Sequence, residues 1–384
     1  MAQQVKTDWI LFGAVLGLVA AGLLMLASAS WVVAEVKYGS SWLLVLRQVV
    51  WACAALFLML LLKRWDYRRF NTSPWAYGSM LVILLLLMLV YVLDPRLHRW
   101  FRLGPVNLQP SEFAKPVLIV FLAHFAARRA SVINRRRTLI CAAVIVSLVT
   151  GLVIAADLGT AVVIAAAAAV LFLVAGLERR FALVAGLILF LLISIAVAWK
   201  PYRIARIFGH VNPDYSWLDT ALVRTFDAEG KAKAWLKQSA PTRDSTYHIT
   251  QSLIAVGSGG ILGTGPMRGR QKLLYLPEAH TDFIYAVIAE ELGLWGALLF
   301  AGGFVVIAWR GMRIHFRAPD DFGRFVALGV TTMVTVQAFM NISVVTGLLP
   351  PKGIPLPLVS YGGSSLMSSL ISLGILQSIG DQSG

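Results

Sequence analysis

The stretch WILFGAVLGLVAAGLLMLASASWVV, residues 9–33, carries no charged side chain. A helix gains 1.5 Å per residue, and about 20 apolar residues cross a hydrocarbon layer of roughly 30 Å. The run is too long for a signal-peptide core and no clean small-residue cleavage site follows it, so it reads as a retained membrane span.

Working outward, similar apolar runs recur near residues 45–62, 77–93, 113–127, 139–156, 158–177, 181–199, 283–309, 325–348 and 358–379. Hydrophobic residues make up 58% of the 384 and charged residues only 14%, with a mean hydropathy of +0.75. A water-soluble chain could not hide that much apolar surface in one core. The expectation is an all-α integral membrane protein, a single polytopic domain over residues 1–384 with about ten transmembrane helices.

A net charge of +15 would suggest nucleic acid in a soluble protein, but in a membrane protein the positions of the cations matter more than their sum. With the N-terminus inside, sixteen Lys and Arg fall on inner segments and seven on short outer ones; the other eleven of the 34 lie in one long loop. Long loops are exempt from the counting rule. Both termini are therefore expected in the cytoplasm, with a large extracytoplasmic loop, residues 200–281, between helices 7 and 8. The inner arginines follow from insertion energetics, and no nucleic-acid partner is implied. Cys53 and Cys141 sit inside expected spans and suggest neither a disulfide framework nor a thiolate metal site.

On this topology the outer face holds nearly every unusual element. In RWFRLGPVNLQPSEFAK, residues 99–115, Ser111 is placed to cap the fourth span, and Glu112 and Lys115 share a helical face. A cap with a snorkelling lysine explains the pair as well as an anion site does, and Arg99 with Arg102 tilts the balance to the latter. Asp157, in ADLGT, reads first as a turn residue capping the sixth span. In LLPPKGIPLPLVSYGGSS, residues 348–365, small residues allow close helix packing, and their amides could also hold a phosphate.

The segment QKLLYLPEAHTDFIYAVIAEELG, residues 271–293, places Asp282 where a polar loop becomes an apolar helix, with Glu290 and Glu291 further along it. A lone acid there is more often a cap than a catalyst. Three acids in one span are nonetheless costly to desolvate, which favours a functional reading. The glycines between 257 and 269 suit a re-entrant or tightly turning segment.

Together these motifs resemble the SEDS family (shape, elongation, division and sporulation) of the FtsW/RodA/SpoVE type. The residues that carry the likeness are Arg99 and Trp100, QPSEFAK (109–115), DLGT (157–160), PYRIAR (201–206), QSLIAVGSGG (251–260), LPEAHTDFIYAVIAEELG (276–293) and the LLPPKG block. QKLLYLPEAHTDFI and the lysine of LLPPKG look more like the division branch than the elongation branch.

The resemblance implies a peptidoglycan glycosyltransferase of the bacterial cytoplasmic membrane, working at the division site and polymerising lipid II on the outer face. Asp282 is then similar to the family's essential acid, a general base for the acceptor sugar's 4-hydroxyl. The implied substrate-binding residues are Arg47, Arg99, Glu112, Lys115, Asp157, Arg203, Lys352 and Ser360. The four cations Arg47, Arg99, Lys115 and Arg203 suit a pyrophosphate leaving group. A divalent cation, Mg or Mn, is compatible with that chemistry although no ligand spacing specifies one, and no organic cofactor is expected. Implied partners are a class B penicillin-binding transpeptidase of the FtsI type and other divisome membrane proteins.

Two departures from the family pattern stand out. Ala155 and Ala156 replace the usual polar residue and proline before DLGT, and an insert near 214–245 lengthens the large loop. The competing readings are an elongation-branch polymerase and a lipid II flippase; the latter calls for inner-face polar motifs and an internal repeat, neither of which is visible.

Overall fold

Ten helices lie on the ten expected apolar runs in the computed structural model, which describes residues 7–94, 98–103, 106–198, 244–273 and 275–383. They are α1 (Trp9–Tyr38), α2 (Leu43–Arg64), α3 (Ser73–Leu93), α4 (Pro110–Arg129), α5 (Arg136–Ala156), α6 (Leu158–Val174), α7 (Arg179–Ala198), α9 (Ile284–Arg317), α10 (Asp321–Val345) and α11 (Gly363–Asp381). Six of them (α1, α2, α3, α5, α9 and α10) are long and apolar enough to cross a membrane by length and composition. In α10, 72% of the apolar window is buried, against 28% in α2, α3, α5 and α9. Helix α10 is therefore an inner helix, packed against α4, α6, α9 and α11, while the exposed Leu and Val of the other spans suit contact with lipid.

An eleventh helix, α8 (Asp244–Gly259), ends at the glycine-rich stretch, and residues 260–269 turn without regular structure as the glycines suggested. Its buried residues Ser252, Ala255 and Gly259 are small and helically spaced. A Cβ at Gly259 would come within 1.9 Å of the Ala289 carbonyl oxygen, so the glycine serves close packing on α9. Ser252 Oγ also donates to the Val345 carbonyl at 2.8 Å. The insert near 214–245 lies outside the described residues apart from the start of α8.

A short antiparallel hairpin, β1 (Phe101–Leu103) with β2 (Val106–Leu108), stands between α3 and α4 and pairs Phe101 with Leu108. It delivers the chain to α4, where a second expectation changes. Pro110 occupies the first helical turn and Gln109 is the N-cap residue, so Ser111 is not the cap. Proline suits that position because its missing N–H would have been unpaired there anyway. Ser111 Oγ instead accepts from Gln109 Nε2 at 2.8 Å.

Helix α9 is broken at Gly293, which has φ 67° and ψ −162°. The break frees the carbonyls of Glu290 and Glu291, which accept from the amides of Thr264 and Gly265 at 2.9 and 3.0 Å, and the Leu294 amide donates to Gly260. Every buried backbone group exposed by a break must find such a partner. The neighbouring carboxylates complete the clamp. Glu290 Oε1 accepts from the amides of Arg270 and Gln271 at 2.6 and 3.1 Å. Glu291 accepts from Ser28 Oγ at 2.6 Å and Lys272 Nζ at 2.5 Å, and from the Met267 amide. Two of the three acids in this span thus hold the 260–272 loop.

A Cβ at Gly293 would lie 2.3 Å from the Gly263 nitrogen. Gly293→Ala is expected to lower the thermal midpoint in detergent, since positive φ alone costs roughly 1–2 kcal/mol and the collision adds to it. An unchanged midpoint would show that the loop does not rest on the break.

At the opposite end of the bundle, Arg310 pairs with Asp8 at 2.7 Å and Lys63 lies 3.8 Å from Asp381. Arg310 therefore ties α9 to the start of α1, a role beyond the insertion energetics that accounted for it in the sequence.

Candidate active site

Asp282 lies in the turn before α9 and is not its cap: Phe283 holds the N-cap position, and no side-chain cap bond is made. Among the described residues no hydrogen bond or ion pair engages its carboxylate, and only its backbone carbonyl is bound, by Asn341 Nδ2 at 2.7 Å. Burial pushes its pKa up to about 7, against the pull of Arg99 and with the added push of Glu278 and Asp157. An acid without a local partner, in a desolvated pocket beside a guanidinium, is suited to take a proton.

Arg99 Nη2 bonds Asp157 Oδ2 at 3.1 Å. Asp157 also caps α6, with Oδ1 accepting from the Gly159 and Thr160 amides at 2.9 and 3.2 Å and Oδ2 from Thr160 Oγ1. The capping role read from the sequence and the contact with Arg99 therefore coexist in one side chain. Among the described residues Arg99 Nε is buried without a hydrogen-bond partner, while the side chain as a whole is 29% exposed and presents its charge to an anion.

Glu112 and Lys115 form a buried pair at 2.8 Å, and Lys115 Nζ also donates to Gln337 Oε1 at 2.7 Å. The lysine is 1% exposed. It does not snorkel, and in this state it braces the bundle below the site. Arg47 sits over the Tyr38 ring, 5.7 Å from its centre, and its positive charge acts on the Tyr361 hydroxyl.

Ser360 is organised differently from a substrate ligand. Its hydroxyl donates to the Thr281 carbonyl at 2.6 Å and accepts from the Leu356 amide at 2.8 Å, so it staples the last outer loop to the turn bearing Asp282. The Tyr361 amide adds a bond to the His280 carbonyl. Lys352 precedes Gly353, where a Cβ would stand 2.9 Å from Asp282 Oδ2. Glu278 and Leu358, in these two loops, have φ of 53° and 65°, a strain that concentrates at functional sites. Arg203 lies outside the described residues.

Sequence reasoning missed Gln48, Gln337 and Asn341, neutral amides inside apolar helices. Gln48 bridges the Ser360 carbonyl and the Gly362 amide. The available signal was the cost of an amide at membrane depth, which implies a partner.

The family model described as Cell cycle protein, FtsW/RodA/SpoVE, matches residues 8–383. The chain belongs to that family. A probable peptidoglycan glycosyltransferase FtsW from Geobacter sulfurreducens is 35% identical over 97% of this chain and 95% of its own. Stage V sporulation protein E of Bacillus subtilis is also 35% identical, over 98% of each chain. A chain from a peptidoglycan synthase complex, solved for its coordination of polymerization and crosslinking, is 29% identical with a TM-score of 0.72 over 97% of each chain. The rod shape determining protein RodA of Thermus thermophilus is 27% identical, with a TM-score of 0.67 over 99% of this chain and 98% of that one. The FtsW/RodA/SpoVE membrane fold and the integral membrane character expected from the apolar runs are thereby established.

Proposed function

We propose that the chain is a peptidoglycan glycosyltransferase that polymerises lipid II on the outer face of the bacterial cytoplasmic membrane, in septal wall synthesis. The observation that carries the reading is the half-buried Asp282 carboxylate, its pKa raised by partial desolvation and pulled on by Arg99, in a family whose relatives bear that activity in their names.

In the step, the acceptor's 4-hydroxyl oxygen attacks the donor's anomeric carbon while the bond from that carbon to the phosphate oxygen breaks. Asp282 takes the hydroxyl proton, and the lipid pyrophosphate leaves with the bonding electrons. Arg99 and Arg47 meet the charge that develops on the leaving oxygens. Lys115 and Glu112 hold the cavity wall, and Lys352 flanks the Asp282 contact.

Among the described residues no three His, Cys, Asp or Glu gather as metal ligands, and both Asp157 oxygens are taken by Arg99, Thr160 and the α6 amides. That leaves the unengaged Asp282 carboxylate as the group that would meet a divalent cation carried on the substrate pyrophosphate, and no step is routed through one. The FtsW-named relatives and the synthase-complex neighbour support a division role beside a class B penicillin-binding transpeptidase.

The base must be ionised to accept a proton, so the rate is expected to rise with pH through about 7. The linked stability runs the other way. A folded pKa above the ordinary 3.8 makes the folded state hold the proton longer, so stability falls as pH rises from about 4 to about 7. Initial rates of labelled lipid II polymerisation between pH 5 and 9 check the first statement, and a profile flat across 6 to 8 would remove Asp282 as the titrating base.

A further inference from the structure

Asn341 is 1% exposed on the central helix α10. Its Nδ2 donates to the Asp282 carbonyl and to the Ile354 carbonyl, both at 2.7 Å. Those carbonyls belong to two outer loops separated in sequence by all of α9 and α10. One side chain therefore pins the turn that bears the acid to the loop that lies against it.

Four residues earlier on the same face, Gln337 repeats the pattern: Nε2 donates to the Pro355 carbonyl at 3.0 Å and Oε1 accepts from Lys115 at 2.7 Å. A separation of four residues is roughly 6 Å along a helix. Helix α10 thus fixes the Asp282 backbone and the Lys115 ammonium to consecutive carbonyls of one loop. The pin also explains Gly353, where any Cβ would stand 2.9 Å from Asp282 Oδ2.

We propose that Asn341 is a positioning residue for the transferase reaction, setting the Asp282 carboxylate against the Gly353 segment by holding both loops from α10. The inference rests on the polymerase reading. Asn341 touches no reacting atom and acts through the backbone of Asp282. A neutral amide suits the task, because it supplies two donors to two buried carbonyls without adding a charge next to the acid. Aspartate at 341 would instead turn acceptors toward those carbonyls.

When the pin is removed, the loops part and water reaches the carboxylate. Asp282 then loses the desolvation that keeps it protonated near neutral pH, and its aim shifts. A residue that merely supported the fold would lower the melting midpoint and leave the pH profile of the surviving enzyme in place.

The test uses the purified full-length protein in detergent, with labelled lipid II. For Asn341→Ala and Asn341→Asp, kcat is expected to fall about 10- to 100-fold, as misplacement by about 1 Å can cost 10²-fold. KM should stay within roughly twofold, because uniform substrate binding is untouched, and the acid limb should move to lower pH. Asn341→Ser keeps a hydroxyl donor and should fall between parent and alanine variant, which preserves the test if the harsher variants fold poorly. Backbone amide exchange should accelerate in both 276–283 and 349–362. An unmoved acid limb, or unchanged exchange in either loop, overturns the positioning role. A parent that makes no glycan contradicts the polymerase reading, and the exchange measurement still decides whether Asn341 pins the loops.

Discussion

Asp282→Asn is expected to stop glycan polymerisation while leaving the fold intact. A positioned general base contributes about 10²- to 10⁴-fold, and a carboxamide cannot accept the proton. The replacement is nearly isosteric and removes a charge from a desolvated site. At pH 8, above the pKa of about 7, the variant should therefore melt no lower than the parent. Rates from gel-resolved glycan and melting midpoints from the same preparations make the comparison. Parent-like polymerisation in the variant would strip Asp282 of its role as base.

Lys115→Met is expected to produce the largest loss of stability. Removing one partner of a buried pair typically costs about 3–5 kcal/mol, because the other charge is left without compensation. Here Glu112 is 2% exposed, and Lys115 is the ion-pair partner it would lose. The double replacement Glu112→Gln with Lys115→Met should recover much of that loss, since neither charge then remains. Activity should fall in both, as Lys115 ties Gln337 to the loop over Asp282. Thermal unfolding of the two singles and the double measures the coupling, and additive losses would mean that the pair is not a unit.

The bundle was legible from apolar run lengths because lipid imposes a minimum length on any span. All ten runs became helices, with ends shifted by a few residues, and Asp282, Arg99 and Asp157 gather at one end as the outer-face motifs implied. What stayed illegible depends on tertiary hydrogen bonding. The break at Gly293 hides inside an unbroken apolar run, because its cause is the 260–265 loop docking against freed carbonyls. Glu290 and Glu291 looked functional by their burial cost alone, and only their partners reveal the clamp. Likewise, Ser360 carries no mark in sequence that its hydroxyl is committed to Thr281 and Leu356.

The central claim is that this chain itself forms the glycosidic bond. Purified protein, free of any other polymerase, incubated with labelled lipid II at pH 8, is the most direct measurement. The expected result is a ladder of glycan products that is absent with Asp282→Asn; a preparation that yields no polymer yet moves lipid II across sealed vesicles would contradict the account.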